Sequence, residues 1–377
     1  MKKLGVYVHI PFCLSRCTYC DFTSSILTDN TAIDTYVEHI LKEIDLLEKS
    51  GAFNEREIET IYFGGGTPSL LKTHYFRSIL ERLLLNRRAN LTEVTIEANP
   101  ATVDEMWLNE IKSLGINRIS FGVQSLNDLS LKAVNRRHTA KEALDIINLA
   151  NLTKLSINVD LMIGLPYQTK EDIKTFVDEV TKFENVNHVS TYMLSVEDGT
   201  KLANQVKNKE IVIATPDEQV ELFNYAKMLL EEKGFVHYEV SNFARPGYEA
   251  KHNLKYWTRD DYIGLGISSH SLVDNVRFYN PSTFDEYYKG LDRGFIPMHI
   301  EAKLDKKDIE EEYIMLAFRT NRGLNFEDYK AKFGKDFIET HKSAVDLLKD
   351  YLIITDKSIS IDSKYFNVLN QIVVNFI

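Results

Sequence analysis

All three cysteines of this 377-residue chain lie between Cys13 and Cys20, and that cluster constrains the fold and chemistry more than any other feature. The segment Cys13-Leu14-Ser15-Arg16-Cys17-Thr18-Tyr19-Cys20 directly follows a β-rich run, Leu4–Ile10, that Pro11 brings to an end. An odd number of cysteines in one short loop does not make a disulfide framework. Spacings of three and then two intervening residues let a loop curl round a cuboidal iron–sulfur cluster, one thiolate to each of three irons. A fourth iron is then left without a protein ligand, and an open coordination position separates a reactive metal site from a structural one. Two other readings stand beside this one. A zinc knuckle would need a second ligand pair, and the nearest histidine, His9, lies inside the preceding strand. A Cys17-x-x-Cys20 dithiol motif would leave Cys13 surplus.

Composition excludes more than it selects. The net charge of −10 and pI near 5.6 give no general electrostatic pull toward nucleic acid or an anionic membrane. The hydrophobic fraction of 44% and charged fraction of 27% are those of a soluble globular chain. Lys2 and Lys3 precede an apolar stretch to Phe12, but His9 and Pro11 interrupt it and no small-residue cleavage site follows. No apolar run approaches the ~18 residues of a membrane span. The expected location is the cytoplasm, where thiols stay reduced, and no integral membrane segment is expected.

Through residue 235 short β-rich runs alternate with helical patterns. Strands are expected at Leu4–Ile10, Glu57–Phe63, Thr92–Glu97, Arg118–Val123, Leu155–Ile163 and His188–Ser195. Helices are expected at Tyr36–Leu47, Tyr75–Leu85, Ala143–Ala150, Lys170–Phe183 and Pro216–Lys233. Six such repeats imply an α/β fold with a parallel sheet, open or closed into a full or partial barrel, and ligands at the carboxyl ends of the strands. Between 236 and 300 the alternation stops, in a connecting extension rich in aromatic residues and histidines. From 301 to 377 the pattern is helical, with a hairpin over Leu352–Ile361, as in a winged-helix-like domain. The net charge of −2 over 301–377 lacks the basic footprint of a DNA-binding wing.

Other unusual motifs fall at strand ends. Gly64-Gly65-Gly66-Thr67-Pro68 ends the second strand; glycines there permit close backbone approach, to a ligand or merely in a tight turn. Glu97 ends the third strand, Gln124 the fourth, and Asp160 lies inside the apolar fifth. A carboxylate within a strand costs several kcal/mol unless paired, so each needs a structural partner or a ligand. Arg136, in Asn135-Arg136-Arg137-His138, is either an exposed charge at a helix end or a partner for an anion.

The three-cysteine spacing, with aromatic Tyr19 before the last cysteine, resembles the signature of the radical S-adenosylmethionine (SAM) superfamily. That resemblance implies a partial (βα)6 barrel and a 4Fe-4S cluster on Cys13, Cys17 and Cys20. SAM's amino and carboxylate groups would chelate the open iron, and electron transfer would cleave the sulfonium to a 5′-deoxyadenosyl radical. It further implies SAM contacts from Tyr7, Tyr19, Gly65, Gly66, Thr67, Glu97, Gln124, Arg136 and Asp160. Core packing accounts equally well for Tyr7.

Tyr7-Val8-His9-Ile10-Pro11-Phe12-Cys13, Gly122-Val123-Gln124 and Asp160-Leu161-Met162-Ile163-Gly164-Leu165-Pro166 are similar to the oxygen-independent coproporphyrinogen III oxidase group. This group holds both the decarboxylating oxidase of haem synthesis and the HemW-type haem chaperones. Phe22 stands where the oxidase carries a further cysteine, and only 12 residues precede Cys13. His252-Asn253-Leu254-Lys255-Tyr256-Trp257 matches the H-N-x-x-Y-W pattern of the chaperones. The resemblance therefore implies a haem chaperone, with His252, Tyr256 and Trp257 receiving haem, and haem-acceptor proteins, membrane-associated ones among them, as partners. Buried backbone satisfaction and core packing explain the same hexapeptide otherwise, and His270 is a second histidine candidate. The alternative activity is oxidative decarboxylation of coproporphyrinogen III.

Overall fold

The computed structural model describes residues 1–85, 87 and 89–377. Its centre is one 12-stranded sheet. Six parallel strands, β1 (Lys2–Ile10), β2 (Arg56–Gly65), β3 (Ala89–Ala98), β4 (Arg118–Gln124), β5 (Ser156–Ile163) and β6 (Val186–Met193), follow one another in spatial order. Helices connect them: α1 (Thr31–Lys49), α2 (Thr73–Leu84), α3 (Glu105–Ser113), α4 (Ala140–Leu152) and α5 (Lys170–Val180), with α6 (Pro216–Glu232) after β6. The strands expected from sequence are all present. Helix α3 is additional, as are short helices at Asp128–Ala133 and Lys201–Lys207.

The barrel is open. Beyond β6 the sheet runs antiparallel through β8 (Asn242–Ala244) to β7 (Val236–Glu239). On the other side β1 pairs in parallel with β9 (Tyr262–Leu265), placing Tyr7 opposite Gly264. An antiparallel meander of β10 (His270–Val273), β11 (Val276–Tyr279) and β12 (His299–Lys303) follows. The aromatic region after 236 thus widens the same sheet on both flanks, in strands too short for periodicity to reveal.

Period-two alternation divides the barrel strands into an apolar outer face and a polar inner one. Outward-facing Val6, Ile61, Ile96, Phe121 and Val159 are fully buried against Ile40 and Ile44 of α1, Phe76 of α2, Leu108 of α3, Ile147 of α4 and Phe176 of α5. Each such side chain contributes about 1.5–3 kcal/mol of transfer free energy. Thr139, Thr169 and Thr215 begin α4, α5 and α6 with capping boxes.

The inner face carries Thr60, Tyr62, Glu97, Arg118, Ser120, Asn158 and Asp160. Its lower part is filled by α7 (Lys251–Thr258), whose Lys251 and His252 backbone N–H groups donate to Glu93 at 2.8 and 3.2 Å. A carboxylate at the first turn answers the positive end of the helix. After α8 (Phe284–Asp292), residues from α9 (Lys306–Ala317) onward form a C-terminal helical domain with its own core, centred on Phe318, Tyr329, Phe337 and Ile359. It includes the expected hairpin, as strands Leu352–Ile354 and Ser358–Ile361 beside Leu324–Asn325. No helix among the described residues is long and apolar enough to cross a membrane.

Candidate functional site

A cavity of about 390 Å³ opens at the carboxyl ends of the barrel strands. Cys13, Cys17, Cys20, Tyr19, Gly65, Gly66, Thr67, Glu97, Gln124, Arg136 and Asp160 all line it. Residues separated by up to 147 positions in sequence therefore meet where parallel α/β sheets place ligands.

The cysteine loop is fixed from several sides. Phe12–Cys13 pairs in parallel with Ser25–Ile26, the Thr18 N–H donates to the Val134 carbonyl, and Asn135 Nδ2 donates to the Arg16 carbonyl at 2.8 Å. The three thiols are free of disulfides; Cys13 is buried, and Cys17 and Cys20 are half-buried. Thr67 Oγ1 donates to Cys13 Sγ at 3.5 Å, and Arg136 Nη1 donates to Cys17 Sγ at 3.4 Å. Burial raises the Cys20 thiol and the Tyr19 phenol above their ordinary ranges. Among the described residues no three His, Cys, Asp or Glu side chains are placed to hold a single metal ion.

The glycine run fits closely against the cysteine loop. A Cβ on Gly66 would lie 2.7 Å from the Phe12 carbonyl oxygen, so only glycine lets the chain pass beneath the residue before Cys13. The Gly66 N–H donates to the Ile10 carbonyl and the Gly65 N–H to Glu97 Oε2 at 3.1 Å. Both N–H groups are therefore taken within the protein, and what these residues offer the cavity is a surface close to the backbone.

Glu97 also accepts from Tyr62 Oη at 2.8 Å; burial pushes its carboxyl up to about 7 despite these two bonds. Burial pushes Asp160 up to about 6, against the bond from Asn158 Nδ2 at 2.7 Å. Arg136 reaches down to donate to the Gly122 carbonyl, while its buried Nε has no partner. Gln124 takes a left-handed backbone conformation, φ 70°, and its buried Oε1 is also unpartnered. A non-glycine residue held there stores of order 1–3 kcal/mol of strain, a frequent mark of functional sites.

These donors fit the groups that the resemblance implies. Three free thiols in one loop suit three irons of a cluster, and Arg136 offsets part of the thiolate charge. The orphaned Gln124 Oε1 and Arg136 Nε, with two carboxyls at the inner wall, suit an amine, hydroxyls and a carboxylate. Sequence reasoning missed Ser120, Asn135 and Tyr192, which also line the cavity. The alternation Arg118-x-Ser120-x-Gly122-x-Gln124 carries the signal for the first of them.

Other sequence candidates lie elsewhere. Tyr7 stands below the cavity wall, its hydroxyl 3.0 Å from His9 Nδ1 and its ring stacked on Tyr62. His252 is buried inside the barrel, 1% exposed, with Nδ1 2.8 Å from Thr60 Oγ1 and Nε2 2.9 Å from Tyr256 Oη. Burial holds its imidazole down to about 3, so it is neutral, and both nitrogens are engaged. Tyr256 packs edge-on against Tyr262, and the buried Trp257 Nε1 has no partner. The structure brings His252, Tyr256 and Trp257 together on α7, apart from the cysteine cavity.

Comparison with known proteins follows this geometry. The radical SAM superfamily profile matches residues 7–180, and the HemN C-terminal domain profile matches residues 304–362. The heme chaperone HemW of Lactococcus lactis subsp. lactis (strain IL1403) is 31% identical over 380 residues, covering 100% of this chain and 98% of that protein. The heme chaperone HemW of Escherichia coli (strain K12) is 38% identical over 277 residues, covering 72% of this chain and 71% of that protein. Among solved structures, coproporphyrinogen III oxidase (HemN) from Escherichia coli superposes with a TM-score of 0.85 at 22% identity, covering 100% of this chain and 90% of that one. That likeness speaks for the fold alone.

Proposed function

The chain belongs to the HemW family within the radical SAM superfamily, and from that membership we propose that it is a haem chaperone: a protein that binds haem, a 4Fe-4S cluster and SAM, and passes haem to acceptor proteins. Kinship over the full chain supports the haem function. The observation that carries the cofactor reading is the convergence of three free thiols, Arg136, Glu97 and Asp160 on one cavity.

Cys13, Cys17 and Cys20 would hold the cluster, whose open iron, when bound, receives the amine and carboxylate of SAM and passes an electron to its sulfonium. The chain's own residues set the conditions. Arg136 Nη1 donates to Cys17 Sγ at 3.4 Å and so holds that ligand's orientation. Glu97, raised to about 7 by burial, would be held in its charged form by a cationic amine beside it. Asp160 and Gln124, the latter with its unpartnered Oε1, would accept from ribose hydroxyls. The loop from Cys13 to Cys20 lines the cavity, with Phe22 exposed at its edge.

The test is anaerobic cluster reconstitution followed by two parallel assays on the same preparation. A hemin titration is expected to saturate near one haem per chain. Incubation with coproporphyrinogen III, SAM and a reductant is expected to yield no decarboxylated porphyrinogen. Its appearance would make the chain an oxidase, and absence of haem binding would overturn the chaperone function.

A further inference from the structure

A chain of buried hydrogen bonds runs from the start of α7 to Asp160 in the cavity wall. Ala250, the residue before α7, donates its backbone N–H to Tyr238 Oη of β7 at 3.2 Å. Tyr238 Oη lies 2.8 Å from His188 Nε2 of β6, and His188 Nδ1 lies 2.6 Å from Asn158 Oδ1 of β5. Asn158 Nδ2 then donates to Asp160 Oδ1 at 2.7 Å. Strand register brings these residues together. Asn158 stands opposite His188, and Asn158 and Asp160, two residues apart, share the inner face. His188 is wholly buried, and Asn158 and Tyr238 nearly so.

Every bond in the chain has one direction. A carboxylate accepts, so the Asn158 amide presents its nitrogen to Asp160 and its oxygen to His188. That oxygen requires a proton on His188 Nδ1. Burial, with the Arg118 charge nearby, holds the imidazole well below its ordinary range, so it is neutral and carries that one proton. Nε2 therefore accepts from the Tyr238 hydroxyl, whose oxygen receives the Ala250 N–H. Asn158 also donates to Ser120 Oγ at 2.7 Å and accepts from Ser190 Oγ at 3.1 Å. Hydroxyls donate or accept equally well, so neither serine decides which way the amide faces. The imidazole is the directional partner behind it.

Resting on the reading above that Asp160 meets SAM, we propose that His188 is a positioning residue for the SAM site, fixing the Asn158 amide so that its nitrogen holds the Asp160 carboxylate in place for the ligand. Without the imidazole the amide can turn and set its carbonyl oxygen against the carboxylate. A buried polar network keeps its members in one geometry only while every link is paired.

SAM is titrated into the anaerobically reconstituted, reduced full-length protein, with the shift of the cluster's electron paramagnetic resonance signal as the readout. His188→Leu keeps the bulk and removes both nitrogens; it should weaken SAM about tenfold, with iron content and the SAM-free signal unchanged. His188→Asn places an amide nitrogen where Nδ1 stood and should recover affinity to within about threefold of wild type. His188→Gln reaches toward Tyr238 instead and should not recover it. In an Asp160→Ala background His188→Leu should add nothing, because its effect passes through that carboxylate. Wild-type affinity in His188→Leu, or a tenfold effect that persists in the Asp160→Ala background, would overturn the positioning role. Should His188→Leu fail to fold, equal affinity in His188→Asn and His188→Gln would overturn it. SAM affinity that Asp160→Ala leaves unchanged would instead overturn the reading of the site on which the proposal rests.

Discussion

The inner face of one set of strands carries two polar regions of opposite character. In the upper cavity Gln124 Oε1 and Arg136 Nε are buried without partners, three thiols are free, and Gln124 sits in a strained backbone region. Below, around α7, His252 has both nitrogens bonded, Glu93 caps the helix, and Lys255 pairs with Glu59 at 2.5 Å. Arg118 Nε and Trp257 Nε1 are the lower region's unpaired atoms. A buried polar group that is fully paired adds rigidity; one left unpaired costs about 1–3 kcal/mol and persists where it meets something else. Each region holds two such atoms, so what sets the upper one apart is its open cavity, its three free thiols and the strained Gln124 backbone; on those grounds we read it as the binding site and the lower region as its support.

Removing residues from each region should break different properties. Replacing Cys13, Cys17 and Cys20 together by Ala should abolish iron and sulfide uptake and visible absorbance entirely, with the circular dichroism of the fold retained; a coloured variant would end the contrast. His252→Ala should do the reverse. It leaves Thr60 and Tyr256 without their partner and opens a cavity, so a loss of about 2–4 kcal/mol is expected in urea unfolding. Iron per folded chain should stay the same, and a colourless but fully stable variant would show that the two regions had been confused.

The regions also predict opposite pH dependence in the apoprotein. Glu97 and Asp160 are raised to about 7 and about 6, so the folded state holds their protons longer than the unfolded chain does. Their contribution is full below the unfolded carboxyl range and is lost as pH rises through 6 to 7. His252, lowered to about 3, contributes above its unfolded value and is lost as pH falls toward 3. Glu97→Gln should therefore flatten the decline in urea midpoint between pH 5 and 8 and leave the acid limb intact; an unchanged alkaline decline would sink the burial argument. The smallest effect is expected at Phe22, 66% exposed at the cavity edge, where Phe22→Ser should change stability by no more than about 0.5 kcal/mol. A larger loss would mean that Phe22 belongs to the packed structure.

The cavity was far more legible in sequence than its support. Cysteine spacing is local, and polar residues at the ends of apolar strands stand out, so Cys13, Glu97 and Asp160 were recognisable one at a time. Tyr7 stayed open between core packing and the cavity because alternation gives the face of a strand but not the height at which its side chain meets a cavity. The glycine run was legible as a close approach, yet its neighbour is the Phe12 backbone of the same chain, which only the three-dimensional crossing reveals. His252 could not be placed because α7 has eight residues and enters the barrel through contacts with β2 and β3 that no local pattern encodes.

The most direct measurement is electron paramagnetic resonance of the anaerobically reconstituted, reduced full-length protein, recorded before and after addition of SAM. A cluster held by Cys13, Cys17 and Cys20 with one open iron should contain about four irons per chain and shift its g-values when SAM coordinates. A four-iron signal that SAM leaves unmoved, or no cluster signal at all, would contradict the account.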